Sequence, residues 1–225
     1  MSRPKTAIRK GNSVLANELV FYTNPMSRGR IVRWMLEEVG QPYRTETMGY
    51  EDSMKAADYL AINPMGKVPA LRHGDEVVTE AAAICAYLAD AFPQAGLAPP
   101  LGDTRRATYF RWLFFAAGPV EAVVTNKSLG YEPPADKKMM VGYGSYADVM
   151  NALEFALSRG DYLLGDTFSA ADVYLGSHIG WGMQFGGIET RPIFERYNER
   201  LRARPAAIRA AEIDDALIAA QPQPA

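Results

Sequence analysis

Apolar and polar positions follow different patterns in the two parts of the 225-residue chain. Up to about residue 93, short apolar runs are separated by polar turn residues, which is typical of alternating strands and helices. After a segment rich in proline and glycine, apolar residues recur at helical spacing almost to the end. The pattern predicts a flexible basic tail over 1–17, an α/β domain over 18–93, a linker over 94–103 and an all-helical domain over 104–225.

The α/β part predicts the order strand, helix, strand, helix, hairpin and helix. Strands are predicted from Glu18 to Tyr22 and from Tyr43 to Thr47, and Gly40 gives the intervening helix its stop signal. A long helical crossover joins these two strands, so we expect them to be parallel. A short helix is predicted over 53–60. Because a hairpin follows, the sheet should be mixed.

The hairpin is predicted from two apolar runs, residues 68–71 and 77–78, with turn residues between them. Thr79 is the expected N-cap of the next helix, and Glu80 would place negative charge near its positive end. Pro69 lies just before or within the first of these strands, where it removes a backbone donor. Statistics favour an ordinary trans proline there, whereas a cis bond would turn the Val68 backbone outward to pair with an extended peptide ligand.

The helical part carries one start signal with a clear mechanism. Ser169 followed by Asp172 predicts a capping box, with Phe168 stapled onto Val173, so Asp172 should be buried and hydrogen-bonded. The helix that begins near Arg106 is apolar on more than one face, so it must be buried on both sides or line a cavity. Further helices are predicted over 143–159, 192–202 and 205–215.

Val68-Pro69 before a hairpin, Glu80 at a helix start and the later capping box together resemble the cytosolic glutathione transferase superfamily. The resemblance covers residues 19 to about 215. It implies a thioredoxin-like domain with a mixed sheet, followed by an all-helical domain, and it implies that the Val68–Pro69 bond is cis.

The resemblance also implies which residues hold glutathione. The Val68 backbone would pair with the cysteinyl part, and Lys67 would contact the glycine carboxylate, although a solvated turn lysine explains it as well. Glu80 would meet the γ-glutamyl ammonium, unless it only favours the helix dipole. Ala81 departs from the serine that is usual in the family, which leaves a backbone amide to bind the carboxylate.

Three side chains compete to activate the thiol. Ser27 lies just before the first helix, where the serine-using theta-like and phi-like classes keep their catalytic hydroxyl, but a plain N-cap is the simpler role. Tyr22 lies six residues before Arg28, too far for the tyrosine classes, and should pack in the sheet. Asn24 is a third candidate donor. A cysteine donor is excluded, because this segment contains none.

The resemblance places a hydrophobic second substrate between the two domains. Four aromatic residues are candidate walls, and core packing is the alternative for each: Tyr109, Trp112, Phe115 and Trp181. It also implies a homodimer. In that dimer Arg105 and Arg106 would face the partner subunit, although solvated charges at a helix start explain them equally well.

Composition narrows the function classes. A net charge of −2 gives no basic field for nucleic acid or an anionic membrane, and no apolar run is long enough to span a bilayer. Cys85 is the only cysteine, which excludes an internal disulfide and fits a reducing cytoplasm. The two histidines and one cysteine do not form a metal-ligand spacing.

The prediction from sequence is a cytoplasmic glutathione transferase that conjugates the glutathione thiolate to a hydrophobic electrophile in detoxification. A glutathione-dependent peroxide or disulfide reductase of the same fold is one alternative. A non-catalytic binding module of this fold is the other, and Ala81 is the residue that favours it.

Overall fold

The computed structural model describes residues 17–220. Its strands are β1 (Leu19–Thr23), β2 (Tyr43–Thr47), β3 (Ala70–His73) and β4 (Glu76–Thr79). Its α-helices are α1 (Gly29–Val39), α2 (Ala57–Leu60), α3 (Ala81–Ala91), α4 (Arg106–Phe115), α5 (Glu121–Ser128), α6 (Tyr146–Leu157), α7 (Ala170–Gln184), α8 (Pro192–Arg202) and α9 (Pro205–Ala219). The predicted basic tail lies outside the described residues, except for Asn17.

The strands form one mixed sheet in the order β2-β1-β3-β4. β1 and β2 are parallel, with Leu19 opposite Tyr43, and both remaining pairs are antiparallel. The hairpin turns at Gly74, whose φ of 61° is readily adopted by glycine. This sheet with the helices that follow it is a thioredoxin-like domain plus a helical part, so the predicted fold class is confirmed.

Several predicted boundaries hold and others shift. β2 has the predicted limits, and α1 ends at Gly40 in the left-handed conformation as expected. The helix predicted over 53–60 is a 3₁₀ turn followed by α2, and α6 is shorter than the predicted 143–159. The prediction that Thr79 caps α3 is wrong: Thr79 is the last residue of β4, and Glu80 occupies the cap position.

A wide helical turn joins α4 to α5. Residues 116–120 form a π-helical turn that contains Pro119. Proline has no N–H to donate, so it interrupts the α-helical ladder at this point. Glu121, the first residue of α5 after this turn, pairs with Arg28 at the start of α1.

The capping box at the start of α7 is confirmed. The Ser169 amide (2.9 Å) and hydroxyl (2.8 Å) donate to Asp172 Oδ2, while the Leu163 amide (2.8 Å) and the Tyr197 hydroxyl (2.9 Å) donate to Oδ1. Asp172 is fully buried, as expected. Because burial outweighs the four donors, the pKa of Asp172 is raised to about 6. The carboxylate fastens α7 to α8 and to the loop before it.

Within residues 17–220, no helix is both long and apolar enough to cross a membrane.

Candidate functional site

The candidate site lies at one edge of the sheet, and the strand register sets its position. Tyr22 near the end of β1 pairs with Ala70 at the start of β3, which pairs with Thr79 at the end of β4. The chain therefore leaves β1, enters β3 and leaves β4 at the same edge, where neighbouring strands lie about 5 Å apart. Ser27, Val68 and Glu80 belong to the segments that meet there.

Ser27 closes the loop between β1 and α1. Its hydroxyl donates to the Asn24 carbonyl at 2.7 Å and accepts the Gly29 amide at 2.9 Å. Arg28 occupies the N-cap position of α1, so Ser27 lies one residue before it, and the Ser27 hydroxyl holds the turn that enters the helix. A hydroxyl proton rotates freely, so the same group can donate to an anion instead of to Asn24. The positive end of α1 favours such an anion.

Gly29 permits this tight entry into α1. A Cβ on Gly29 would lie 2.0 Å from Thr23 Oγ1 and 3.0 Å from Ser27 Oγ. The Thr23 side chain is buried, so it has no room to move away. The glycine therefore lets the start of α1 lie close to Thr23 at the end of β1.

The other two candidate donors have structural contacts. The Asn24 amide donates to the Met48 carbonyl at 2.8 Å, and its Oδ1 accepts the Met26 amide at 2.9 Å. The Tyr22 ring packs against Tyr59, with 5.7 Å between ring centroids. Asn24 therefore holds the loop in shape, and Tyr22 packs beside the sheet as its spacing suggested.

The Val68–Pro69 bond is cis, as the resemblance implied. Within the described part of the chain, the amide of Val68 donates no hydrogen bond and its carbonyl accepts none. The segment is fixed from one side, since the Tyr59 hydroxyl (2.6 Å) and the Asn63 amide (2.7 Å) both donate to the Lys67 carbonyl. Val68 thus presents a backbone donor and acceptor to an extended ligand.

The Lys67 side chain is exposed and forms no ion pair with the residues that the structure describes. Glu80 is also exposed, and its φ of 67° with ψ of 117° is costly for a residue other than glycine. Such strain concentrates at binding and catalytic sites. Ala81 is the first residue of α3, so its amide is one of the N–H groups that have no partner within the helix. Its side chain is buried.

Sequence reasoning missed a polar cluster beside Ser27. Arg28 pairs with Glu121, and Glu121 Oε2 lies 3.4 Å from Nδ1 of His178 on α7. His178 is buried, its ring meets Tyr174 edge-on at 4.7 Å, and burial followed by the charge of Arg28 lowers its pKa to about 4. Because these residues are 57 or more positions apart in sequence, no local pattern pointed to the cluster.

The predicted aromatic walls do not form one surface. Tyr109 and Trp112 are only 0% and 4% exposed, so they pack in the core. Neither side chain is accessible as the wall of an open substrate pocket. Phe115 is half-buried and meets Trp112 edge-on at 5.4 Å. Trp181 lines a separate cavity to which these three residues do not contribute.

Comparison with known sequences finds a matching family model and several relatives. A family model described as "Glutathione S-transferase, N-terminal domain" matches residues 26–91. Glutathione S-transferase GstA of Escherichia coli O157:H7 is 31% identical over 176 residues, covering 72% of this chain and 78% of that protein. Glutathione S-transferase F10 of Arabidopsis thaliana is 32% identical over 150 residues, covering 61% and 68%.

Solved structures share the fold. A glutathione transferase from Methylococcus capsulatus superposes with a TM-score of 0.74 at 30% identity, over 88% of this chain and 99% of that one. A glutathione transferase homologue from Sulfitobacter, solved with bound glutathione, gives a TM-score of 0.68 at 28% identity, over 87% and 98%. The thioredoxin-like sheet with its helical extension thus defines an enzyme class, the cytosolic glutathione transferases. This chain belongs to the glutathione S-transferase family.

Proposed function

We propose that this glutathione transferase binds glutathione at the sheet edge and conjugates its thiolate to a hydrophobic electrophile. The observation that supports the proposal is the convergence of Ser27, Val68 and Glu80 at one edge. In this arrangement the sulfur lies at Ser27, the cysteinyl backbone pairs with Val68, and Lys67 meets the glycine carboxylate. Glu80 meets the γ-glutamyl ammonium, and the Ala81 amide meets the adjoining carboxylate.

Ser27 activates the sulfur. A free thiol with a pKa near 8.5 is only about 3% thiolate at pH 7, and lowering that pKa by about 2 units requires about 2.7 kcal/mol. A hydrogen bond to a charged group contributes about 1.5–3 kcal/mol, and a helix N-terminus about 0.3–1 kcal/mol. The hydroxyl of Ser27 and the dipole of α1 together supply the required amount.

The reaction is a nucleophilic displacement. The thiol proton passes to solvent, a sulfur lone pair forms the new S–C bond, and the leaving group departs with its bonding electrons. The Ser27 hydroxyl turns from the Asn24 carbonyl to the sulfur and keeps the amide of Gly29 as its own donor. Holding both reactants in one site contributes through proximity.

We further infer a homodimer in the cytoplasm, with domain limits at 18–93 and 104–225. The exposed side chains of Leu101, in the segment before α4, and Phe114, near the end of α4, support a partner surface there. The segment between α3 and α4 contains one short 3₁₀ turn, Pro93–Ala95, which supports a linker there.

The test is an ultraviolet titration of glutathione thiolate with the wild-type protein, Ser27→Ala and Ser145→Ala. Ser145 is the matched control because its hydroxyl also accepts a backbone amide at a helix start, that of α6. We expect the wild type and Ser145→Ala to hold the bound thiol near a pKa of about 6.5, and Ser27→Ala to return it towards about 8.5. Conjugation of a chloronitrobenzene at pH 7 should fall about 25-fold in Ser27→Ala, following the thiolate fraction.

Two results would contradict the proposal. If Ser27→Ala binds glutathione with the wild-type thiol pKa, the Ser27 hydroxyl only holds the turn that enters α1. If the wild-type protein does not bind glutathione at millimolar concentration, the sheet edge is not a glutathione site.

A further inference from the structure

The loop between β1 and α1 carries Ser27, and two of its contacts come from the segment that follows β2. The Asn24 amide donates to the Met48 carbonyl at 2.8 Å, and the Tyr50 hydroxyl donates to the Met26 carbonyl at 3.1 Å. Both contacts are made within the thioredoxin-like domain. They fix the loop before Ser27, so the position of Ser27 also depends on what holds the residue after it.

Arg28, the residue after Ser27, joins the loop to the helical part of the protein. Its guanidinium pairs with Glu121, the first residue of α5. The Arg28 side chain is 52% exposed and that of Glu121 is 31% exposed. An exposed ion pair contributes little by itself, because water competes for both charges and two long side chains must be ordered. A pair that fixes the loop therefore requires a second contact to order the carboxylate.

His178 on α7 provides this second contact. Glu121 Oε1 accepts the hydrogen bond from Arg28, and Oε2 lies 3.4 Å from Nδ1 of His178. Burial, followed by the charge of Arg28, lowers the pKa of His178 to about 4, so the ring is neutral at pH 7 and carries one N–H. An ionised carboxylate only accepts hydrogen bonds, so that proton belongs on Nδ1. Each oxygen of Glu121 thus faces a different donor.

The His178 ring itself has little freedom to move. It is buried and meets the Tyr174 ring edge-on, with 4.7 Å between centroids. Its other nitrogen, Nε2, has no hydrogen-bond partner among the residues that the structure describes. The N–H at Nδ1 is therefore the one polar contact of the neutral ring, and it is directed at Glu121.

Removal of the Glu121 carboxylate would change both the charge and the position of the loop near Ser27. The change in charge would leave Arg28 without its counterion, and an uncompensated cation beside the site favours a thiolate. The change in position would let Arg28 and the adjoining Ser27 move, which weakens a hydrogen bond to the sulfur. These two effects shift the thiol pKa of bound glutathione in opposite directions, so the sign of the shift separates them.

We propose that Glu121 is a positioning residue for Ser27: it holds Arg28 from the helical part, and His178 fixes its carboxylate in turn. The proposal rests on the proposed glutathione site at the sheet edge. The Ser27 hydroxyl donates to the Asn24 carbonyl, so its proton must turn to the sulfur while its oxygen stays in place. A loop held from both sides keeps that oxygen in position. The helical part thereby takes part in activating glutathione through the loop alone.

The experiment is ultraviolet titration of glutathione thiolate on the full-length protein, with Glu121→Gln and Arg28→Lys. Glu121→Gln should raise the thiol pKa from about 6.5 to about 7.5, so conjugation of a chloronitrobenzene at pH 7 should fall about threefold. The two rates should converge above about pH 9, where both thiols are ionised. The KM for glutathione should change by less than about twofold. Arg28→Lys keeps a cation that can pair with Glu121, so its thiol pKa should stay closer to the wild-type value.

Two comparisons separate positioning from other effects. In the Ser27→Ala background, Glu121→Gln should shift the thiol pKa no further, because it acts through the Ser27 hydroxyl. Asp161→Asn is the matched control. It removes a carboxylate from another partly exposed ion pair, Arg200 with Asp161 at 2.7 Å, which joins α8 to the segment before α7. This variant should leave the thiol pKa unchanged.

Three results overturn this proposal alone. A lower thiol pKa in Glu121→Gln means that the pair acts through charge, and an unchanged one means that the loop keeps its position without Glu121. An equal rise in the Ser27→Ala background means that Glu121 does not act through Ser27. A wild-type protein that leaves the bound thiol at its free pKa removes the sheet-edge proposal and this one together.

Discussion

Arg33 on α1 donates to Asp214 on α9 at 2.8 Å, and each side chain is only 1% exposed. A second pair, Arg30 with Asp215 at 2.7 Å, joins the same two helices, but its side chains are 24% and 66% exposed. The two bridges thus have the same chemistry and differ in burial. Burial raises the pKa of Asp214 although Arg33 opposes it, so desolvation is the stronger effect there.

We predict that Arg33→Met lowers the free energy of unfolding by about 3–5 kcal/mol, because it leaves a buried carboxylate uncompensated. Asp215→Asn, the exposed control, should cost less than about 1 kcal/mol. The double variant Arg33→Met/Asp214→Leu should recover most of the loss, since neither charge remains. Urea unfolding of the three variants measures this. Equal costs for Arg33→Met and Asp215→Asn would mean that the buried pair contributes no more than the exposed one.

The two capping boxes provide a second matched comparison. Ser145 with Asp148 starts α6 at an exposed site, and Ser169 with Asp172 starts α7 at a buried one. Asp148→Ala should cost about 1 kcal/mol, as an ordinary cap does. Asp172→Ala should cost at least about 3 kcal/mol, because it leaves the Leu163 amide and other buried donors without acceptors. Thermal unfolding measures both, and similar losses would show that burial adds nothing to the cap.

His178 should make stability depend on pH. Its pKa is about 4 in the folded protein and about 6.5 in the unfolded chain. Between these values the unfolded chain binds more protons, so stability rises with pH through this window. Acidification from pH 7 to pH 4 should therefore cost the wild type about 3 kcal/mol relative to His178→Gln, which has no such titration. If stability falls equally with pH in the two proteins, the titrating group responsible is not His178.

Glu80 should show opposite effects on stability and binding. Glu80→Gly relieves the positive φ and should raise the free energy of unfolding by about 1 kcal/mol. It also removes the carboxylate proposed for the γ-glutamyl ammonium, so glutathione affinity should fall by about tenfold or more. Glu76→Gly on β4 is the control, because a glycine in a strand should lower stability by about 0.5–1 kcal/mol and leave affinity unchanged. A destabilised Glu80→Gly would show that the backbone there is not strained.

Local signals in the sequence predicted most of the fold. Gly40 as a helix stop, the limits of β2 and the box at Ser169 depend on interactions within a few residues, so pattern alone finds them. The cis bond before Pro69 followed from the resemblance and not from statistics, which favour trans.

Other features depend on contacts between distant segments. The cluster of Arg28, Glu121 and His178 joins the residue before α1, the first residue of α5 and α7, which are far apart in the sequence. Thr79 was expected to cap α3 because its side chain suits the role, but β4 extends to that residue through pairing with Ala70. Helical spacing showed which residues share a face and not what that face contacts.

Cys85, the only thiol in the chain, is fully buried on α3, and burial raises the pKa of that thiol. A protonated and inaccessible sulfur is a poor nucleophile. The folded protein therefore offers no accessible cysteine for alkylation by an electrophile. The same sulfur becomes reactive only when the structure around α3 opens, so the rate at which a thiol reagent labels Cys85 would report how often that opening occurs.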